Sequence, residues 1–146
     1  MWKFEHTVTT TANAETIWNL YSDISTWVEW DKGIVHASLE GAFVAGTRGL
    51  LQPEGQDRLR FELKEVNPLH SFSDVTDMPD AGIQVHFTHH IVETAEGTSV
   101  THKVMITGQN AEDLGPKIGA GMAKGIPHTI EGLVALALER ERQHAV

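Results

Sequence analysis

The fold is decided by residues 83–106, IQVHFTHHIVETAEGTSVTHKVMI. Two runs in which every second residue is apolar or histidine flank a short polar loop, which is typical of two half-buried strands in a hairpin. The inward faces are Ile83, Val85, Phe87, His89 and Ile91 in the first strand, and Val100, His102, Val104 and Ile106 in the second. If Glu93 pairs with Thr98, the antiparallel register keeps both faces on one side and places His89 opposite His102.

The rest of the chain predicts the elements around this hairpin. Asn13 and Asp23 are placed to cap two short helices, and Asn110 is placed to cap a long C-terminal helix in which Pro127 predicts a kink or break. The remaining predicted strands are 2–10, 33–39, 47–52, 58–66 and 69–76. The inward face of the strand at 69–76 is ambiguous. Runs of strands with short connections and terminal helices indicate an α+β fold with an antiparallel sheet.

Composition limits the possible classes of protein. The length of 146 residues predicts one domain over residues 1–146. The net charge of −9 argues against nucleic acid as a partner, because phosphate binding needs clustered Lys and Arg. No cysteine, no apolar signal sequence and no apolar run of about 20 residues are present, so we expect a cytoplasmic protein without disulfides or a membrane span. The oligomeric state is open between monomer and homodimer.

Seven short motifs lie in a characteristic order along the chain. They are Ala14–Trp18, Asp23–Trp27, Trp30–Asp31, Gly41 with Gly46–Thr47, Glu65–Pro68, Gly97–His102 and Ile106–Gly108. Together they resemble the START-like (SRPBCC) superfamily, in its polyketide cyclase/dehydrase-type branch. The resemblance implies a helix-grip fold, in which about seven strands curl around the C-terminal helix, with two short helices after the first strand. It also implies a cavity for lipids, sterols, plant hormones or polyketide intermediates, in relatives that are carriers or enzymes and share no universal catalytic residue.

A cavity between the sheet and the last helix is therefore the expected site, and a small apolar molecule with one polar end is its expected ligand, bound without a cofactor. The candidate ligand-binding residues are Trp27, Trp30, Phe61, Phe87, His89, His102, Gly121, Met122 and Ile126. Trp27 and Trp30 either line the cavity or belong to the core. Gly121 and Gly125 are expected over the cavity, where they would keep its roof thin; the rival explanation is close backbone packing.

The inward histidines leave several functions open. His89 and His102 form the polar end of a binding cavity, or they act as general acid and base in a polyketide cyclase or dehydratase. With His6 on the neighbouring strand they could also bind zinc, although we expect no metal. His86 and His90 alternate outward, so they do not join a cluster with His89. A protein-interaction module is a third possibility, which an exposed apolar patch would favour.

Overall fold

A seven-stranded antiparallel sheet curls around a long C-terminal helix, which confirms the predicted α+β helix-grip architecture. The structure, a computed structural model, describes residues 1–144. The strands are β1 (Trp2–Thr10), β2 (Ile34–Leu39), β3 (Arg48–Pro53), β4 (Leu59–Asn67), β5 (Ser71–Met78), β6 (Ile83–Thr94) and β7 (Gly97–Thr107), and the helices are α1 (Ala14–Ser22), α2 (Trp27–Trp30) and α3 (Ala111–His144). The spatial order of the strands is β1-β7-β6-β5-β4-β3-β2.

The β6–β7 hairpin has the predicted register. Glu93 pairs with Thr98 and His89 pairs with His102. On the other side of β7, His102 pairs with His6 of β1. Three histidines therefore lie on adjacent strands across the inner face of the sheet.

Strand β5 resolves the ambiguity left by the sequence. It begins two residues later than the predicted strand at 69–76, because Leu69 has a positive φ of 69° in the turn that follows β4. Its inward residues are Phe72, Asp74 and Thr76, all of which are buried. A carboxyl group is thereby placed on the apolar side of the sheet.

The two short helices begin at the predicted places, but only one has the predicted cap. Asp23 Oδ1 accepts a hydrogen bond from the Ser25 backbone N–H at 3.1 Å, ahead of a 3₁₀ turn that leads into α2. The Asn13 side chain makes no capping bond to α1. Instead, the Asn13 backbone N–H donates to Glu141 Oε2 at 2.8 Å, so α3 is tied to the start of α1.

Helix α3 is continuous from Ala111 to His144, passing through Pro116 and Pro127 without the break considered from the sequence. Its inner face covers the sheet and belongs to the main core. The buried residues on this face are Ala111, Gly115, Gly119, Ile126, Ile130, Leu133 and Ala137. Among the helices of residues 1–144, none is long and apolar enough to cross a bilayer.

The glycines of α3 do not form a cavity roof. Gly121 and Gly125 are exposed, and a Cβ built at either residue would meet nothing within 4 Å, so the prediction that they lie over the cavity is wrong. The reason is helical periodicity, which turns these positions away from the face that holds Gly115 and Gly119. There, a Cβ would lie 2.6 Å from Trp2 Cβ at Gly115 and 2.5 Å from the Trp2 ring at Gly119. The rival explanation of close packing thus applies to the buried glycines.

Candidate ligand-binding cavity

A cavity of about 100 Å³ lies between the inner face of the sheet, α2 and the middle of α3. It is lined by seven of the nine candidate residues: Trp27, Trp30, Phe61, Phe87, His89, His102 and Ile126. Gly121 and Met122 do not line it. Gly121 faces outward, while Met122 is half-buried and packs against the core elsewhere. Four further lining residues were not anticipated from the sequence: Asp31, Leu51, Asp74 and Thr129.

A larger cleft, of about 530 Å³, lies on the surface between α1 and the end of α3. It is broadly open to solvent, and its lining includes polar side chains such as Thr16 and Arg140. Its lining contains none of the candidate residues. The smaller cavity is less open to solvent and its lining is mostly apolar, so it is the better candidate for a binding site.

Aromatic rings form one wall of the cavity. Trp27 stacks on Phe61 with ring centroids 5.8 Å apart. The indole N–H of Trp27 donates to the Tyr21 carbonyl at 2.9 Å, and that of Trp30 donates to Thr26 Oγ1 at 3.1 Å. Because both N–H groups are used by the protein, the two indoles present apolar surface to the cavity while belonging to the core.

Contacts with Phe72 of β5 fix the orientation of the His89 ring. Its ring stacks on Phe72, with centroids 3.9 Å apart and planes within 6°, and its Nδ1–H donates to the Phe72 carbonyl at 3.3 Å. The proton on Nδ1 leaves Nε2 as a hydrogen-bond acceptor. Burial lowers the pKa of His89 to about 3, so the ring is neutral near pH 7.

His102 is fixed by α1. Its Nε2 lies 2.7 Å from the hydroxyl of Tyr21, and its ring packs edge-on against His89 with centroids 4.7 Å apart. Tyr21 is fully buried and its hydroxyl has no other partner within residues 1–144, so the arrangement that satisfies its proton is donation to Nε2. Nδ1 of His102 then carries the ring's proton. Burial, assisted by His89, lowers the pKa of His102 well below its usual value, and burial raises that of Tyr21.

Asp74 is the least expected group in the cavity. Its side chain is buried, and no residue of the described chain forms a hydrogen bond or an ion pair with its carboxyl group. Burial raises its pKa to about 8, so the carboxyl is protonated at neutral pH. The signal for this position was Phe72, since a strand with Phe72 facing inward also sends Asp74 inward.

Asp31 lies at the edge of the same cavity with partners of its own. Its Oδ1 accepts from the Gly33 backbone N–H at 3.0 Å and from Thr129 Oγ1 at 3.4 Å. Burial raises the pKa of Asp31, and these two hydrogen bonds act in the opposite direction. Asp31 thus joins the end of α2 to α3 beside the cavity.

The histidines do not form a metal site in the described part of the chain, where no three His, Asp or Glu side chains are placed to hold one ion. His6 is half-buried beside His102. His86 lies within 2.9 Å of Thr107 Oγ1 and His90 is exposed, so neither joins the pair in the cavity. The polar end of the cavity consists of Asp74, His89 and His102, all uncharged near pH 7.

Residues 1–145 match the family model for polyketide cyclase/dehydrase and lipid transport, and the chain belongs to this family. No curated protein sequence matches the chain.

Solved structures share the fold at low sequence identity. The di-domain ARO/CYC protein StfQ from the steffimycin biosynthetic pathway matches with a TM-score of 0.80 and 11% identity, over 95% of this chain and 51% of that one. Norcoclaurine synthase from Thalictrum flavum matches with a TM-score of 0.72 and 17% identity, over 94% and 86% of the two chains. Protein MLL2253 from Mesorhizobium loti matches with a TM-score of 0.75 and 16% identity, over 94% and 97%. At these identities the matches show the fold alone.

Proposed function

We propose that the protein is a carrier or binding protein for a small molecule with an apolar body and one polar end, held in the cavity between the sheet and α3. The supporting observation is the cavity itself, which combines an aromatic wall with three uncharged polar groups, Asp74, His89 and His102. A mostly apolar cavity with a few convergent polar groups is the usual form of a small-molecule site.

The volume limits the size of the ligand. An engineered apolar cavity of about 150 Å³ in another protein holds benzene. The cavity here, at about 100 Å³, matches a single small ring or a shorter chain. A lipid or a polyketide intermediate would require α3 or the tryptophan wall to move outward.

The test is a thermal melt with small apolar probes such as toluene, indole and phenol. A ligand that binds only the folded state stabilises it by about 2.7 kcal/mol at a hundredfold excess over Kd, which raises Tm by several degrees. Replacing Ile126 with Phe should fill the cavity and abolish this rise, because Ile126 lines it.

The matched control is Ile118→Phe. Ile118 is an isoleucine of the same helix that is half-buried and does not line the cavity. The response to the probes should survive this change. Equal Tm rises in the Ile126 and Ile118 variants, or no rise with any probe in the unchanged protein, would contradict binding in this cavity.

A cyclase or dehydratase is the second candidate function, and one observation favours it. Asp74 and His89 share the cavity with pKa values of about 8 and about 3, so one is a protonated acid and the other a free base at neutral pH. Environments that push two pKa values apart are typical of acid–base pairs. Because a base with a pKa of about 3 is weak, Asp74 is the stronger candidate for proton transfer, rather than the histidines alone.

Enolisation of a small cyclic ketone tests this alternative. His89 Nε2 would accept a proton from the α-carbon while the Asp74 carboxyl donates one to the carbonyl oxygen, which gives the neutral enol. In D2O, NMR should show the α-protons of cyclohexanone exchanging faster with the protein than with the Asp74→Asn variant. Equal exchange rates would remove the support for an enzyme of this type.

A further inference from the structure

We propose that the polar group of the ligand is a neutral hydroxyl on a single ring, which donates a hydrogen bond to His89 and accepts one from His102. This inference rests on the proposed binding function and specifies its ligand class. It follows from which atoms at the polar end of the cavity have no partner in the protein.

The acceptor is Nε2 of His89. Stacking on Phe72 and the hydrogen bond from Nδ1–H to the Phe72 carbonyl fix the orientation of the ring. Nε2 has no partner within residues 1–144, where every fully shielded side-chain nitrogen or oxygen does have one. Nε2 therefore retains accessible surface. Because the His89 side chain is buried and lines the cavity, this surface faces the cavity.

The donor is Nδ1–H of His102. Donation by Tyr21 to Nε2 at 2.7 Å leaves the proton of the ring on Nδ1. No described residue pairs with Nδ1, so by the same reasoning it faces the cavity. One free acceptor and one free donor, on rings whose centroids are 4.7 Å apart, match a group that both donates and accepts.

The charges and hydrogen-bond donors of the lining disfavour ionic ligands. Two carboxyl groups, Asp31 and Asp74, line the cavity, and no Lys or Arg does. A carboxylate or phosphate ligand would therefore be buried without a cation to pair with. A protonated amine could pair with a carboxyl group, but it carries donors only and would leave the His102 donor opposite another donor. A hydroxyl satisfies both histidines without bringing a charge into the core, and the protonated Asp74 leaves the site uncharged.

The test compares four ligands of one ring: phenol, toluene, benzylamine and benzoate, by calorimetric titration of the full chain at pH 7. Two additional net hydrogen bonds should make phenol bind at least tenfold more tightly than toluene. Benzylamine and benzoate should bind more weakly than toluene. Because this comparison uses the unchanged protein, it does not depend on the folding of any variant.

A pair of variants assigns the preference to His89. His89→Phe keeps an aromatic ring against Phe72 but removes the acceptor, so phenol should lose the greater part of its advantage while toluene binds within about twofold of its original affinity. His86→Phe is the control on the same strand, since His86 lies outside the cavity lining, and it should keep the preference for phenol.

The outcomes separate the two proposals. Equal binding of phenol and toluene, or tighter binding of benzylamine or benzoate, would overturn the hydroxyl inference and leave the binding cavity in place. A phenol preference that survives undiminished in His89→Phe would overturn the assignment to His89. Binding of none of the four ligands would overturn the proposed function, and the inference with it.

Discussion

Tyr21 positions His102 through one hydrogen bond inside the core. Tyr21→Phe would keep the packing of the ring against Phe72 but leave Nε2 of His102 buried without a partner. We expect a loss of about 1–3 kcal/mol in the free energy of unfolding, because an unsatisfied buried acceptor costs its desolvation energy. Urea denaturation of the variant measures this loss.

A hydroxyl on the outer face of the sheet provides the control for this measurement. Thr7 Oγ1 lies 2.7 Å from Thr101 Oγ1 at an exposed position, so Thr7→Val should change the free energy of unfolding by less than about 0.5 kcal/mol. Equal losses in the free energy of unfolding for the Tyr21 and Thr7 variants would show that the buried Tyr21–His102 bond contributes no more to stability than the exposed bond.

For individual residues, the sequence predicted which face of a strand a side chain occupies better than it predicted the hydrogen-bond partner of that side chain. Strand alternation correctly placed His89 and His102 on the inner face, because that signal lies within a few residues. The sequence did not reveal the Tyr21–His102 bond, whose partners are 81 residues apart. Asp74 was missed because the strand at 69–76 lacks a clear apolar alternation, so the sequence did not show whether the face shared by Phe72 and Asp74 points inward.

Helix α3 contains glycines in tightly packed positions and glycines that face open space. A Cβ at Gly132 would overlap the carbonyl oxygen of Trp30, whereas one at Gly121 would meet open space. Gly132→Ala should therefore destabilise the protein by about 1–3 kcal/mol through overpacking against rigid backbone. Gly121→Ala should stabilise it by about 0.5–1 kcal/mol through better helix propensity. Thermal melts of the two variants should shift in opposite directions, and a shared direction would contradict this placement of the helix.

The glycine content of α3 was evident from the sequence, but the face that each glycine occupies was not. The first half of the helix has a weak apolar pattern, so its orientation is set by contact with Trp2, at the other end of the chain. The β6–β7 hairpin is the opposite case. Its register could be predicted because both strands alternate strongly and a short loop joins them.

For the whole molecule, buried ionisable groups predict how stability depends on pH. Burial raises the pKa of Asp74 from 3.8 to about 8, lowers that of His89 from 6.5 to about 3, and lowers that of His102 well below 6.5. As the pH falls below about 6.5, the unfolded chain gains protons on both histidines that the folded protein does not bind, and stability falls. Asp74 has the opposite effect on stability, but the effect of this one group is smaller than that of the two histidines.

Above pH 6.5 only Asp74 matters among these three, because the folded protein keeps a proton that the unfolded chain has released. Stability should then decline by about 1.4 kcal/mol per pH unit until the pH passes about 8. We expect a maximum near pH 6.5 and a loss of about 2 kcal/mol by pH 8, measured by urea denaturation across the range.

Asp74→Asn should remove the alkaline decline, because an amide does not titrate. Asp77→Asn is the matched control, since Asp77 is an exposed residue of the same strand, and it should keep the decline. An unchanged slope between pH 6.5 and 8 in the Asp74 variant would show that Asp74 is not the group responsible.

The overall fold could be predicted from the sequence more completely than the details of the site. Every neighbouring pair in the sheet except β1 and β7 is consecutive along the chain, so antiparallel pairing follows from the order of strands and turns. The β1–β7 pair is not local, and the resemblance to a known family supplied it. The cavity volume was out of reach, because it depends on how side chains from distant elements fill the space between them.

The arrangement of the first and last elements has a consequence for synthesis on the ribosome. Strand β1 is made before its partner β7, in which Ile106 pairs with Trp2, and the sheet acquires its cover only when Ile130, Leu133 and Ala137 of α3 have emerged. Until α3 has been made, the growing chain therefore exposes the apolar face of its strands. Exposed apolar surface and unpaired strands favour aggregation, and the packing of α3 onto the sheet ends this exposure.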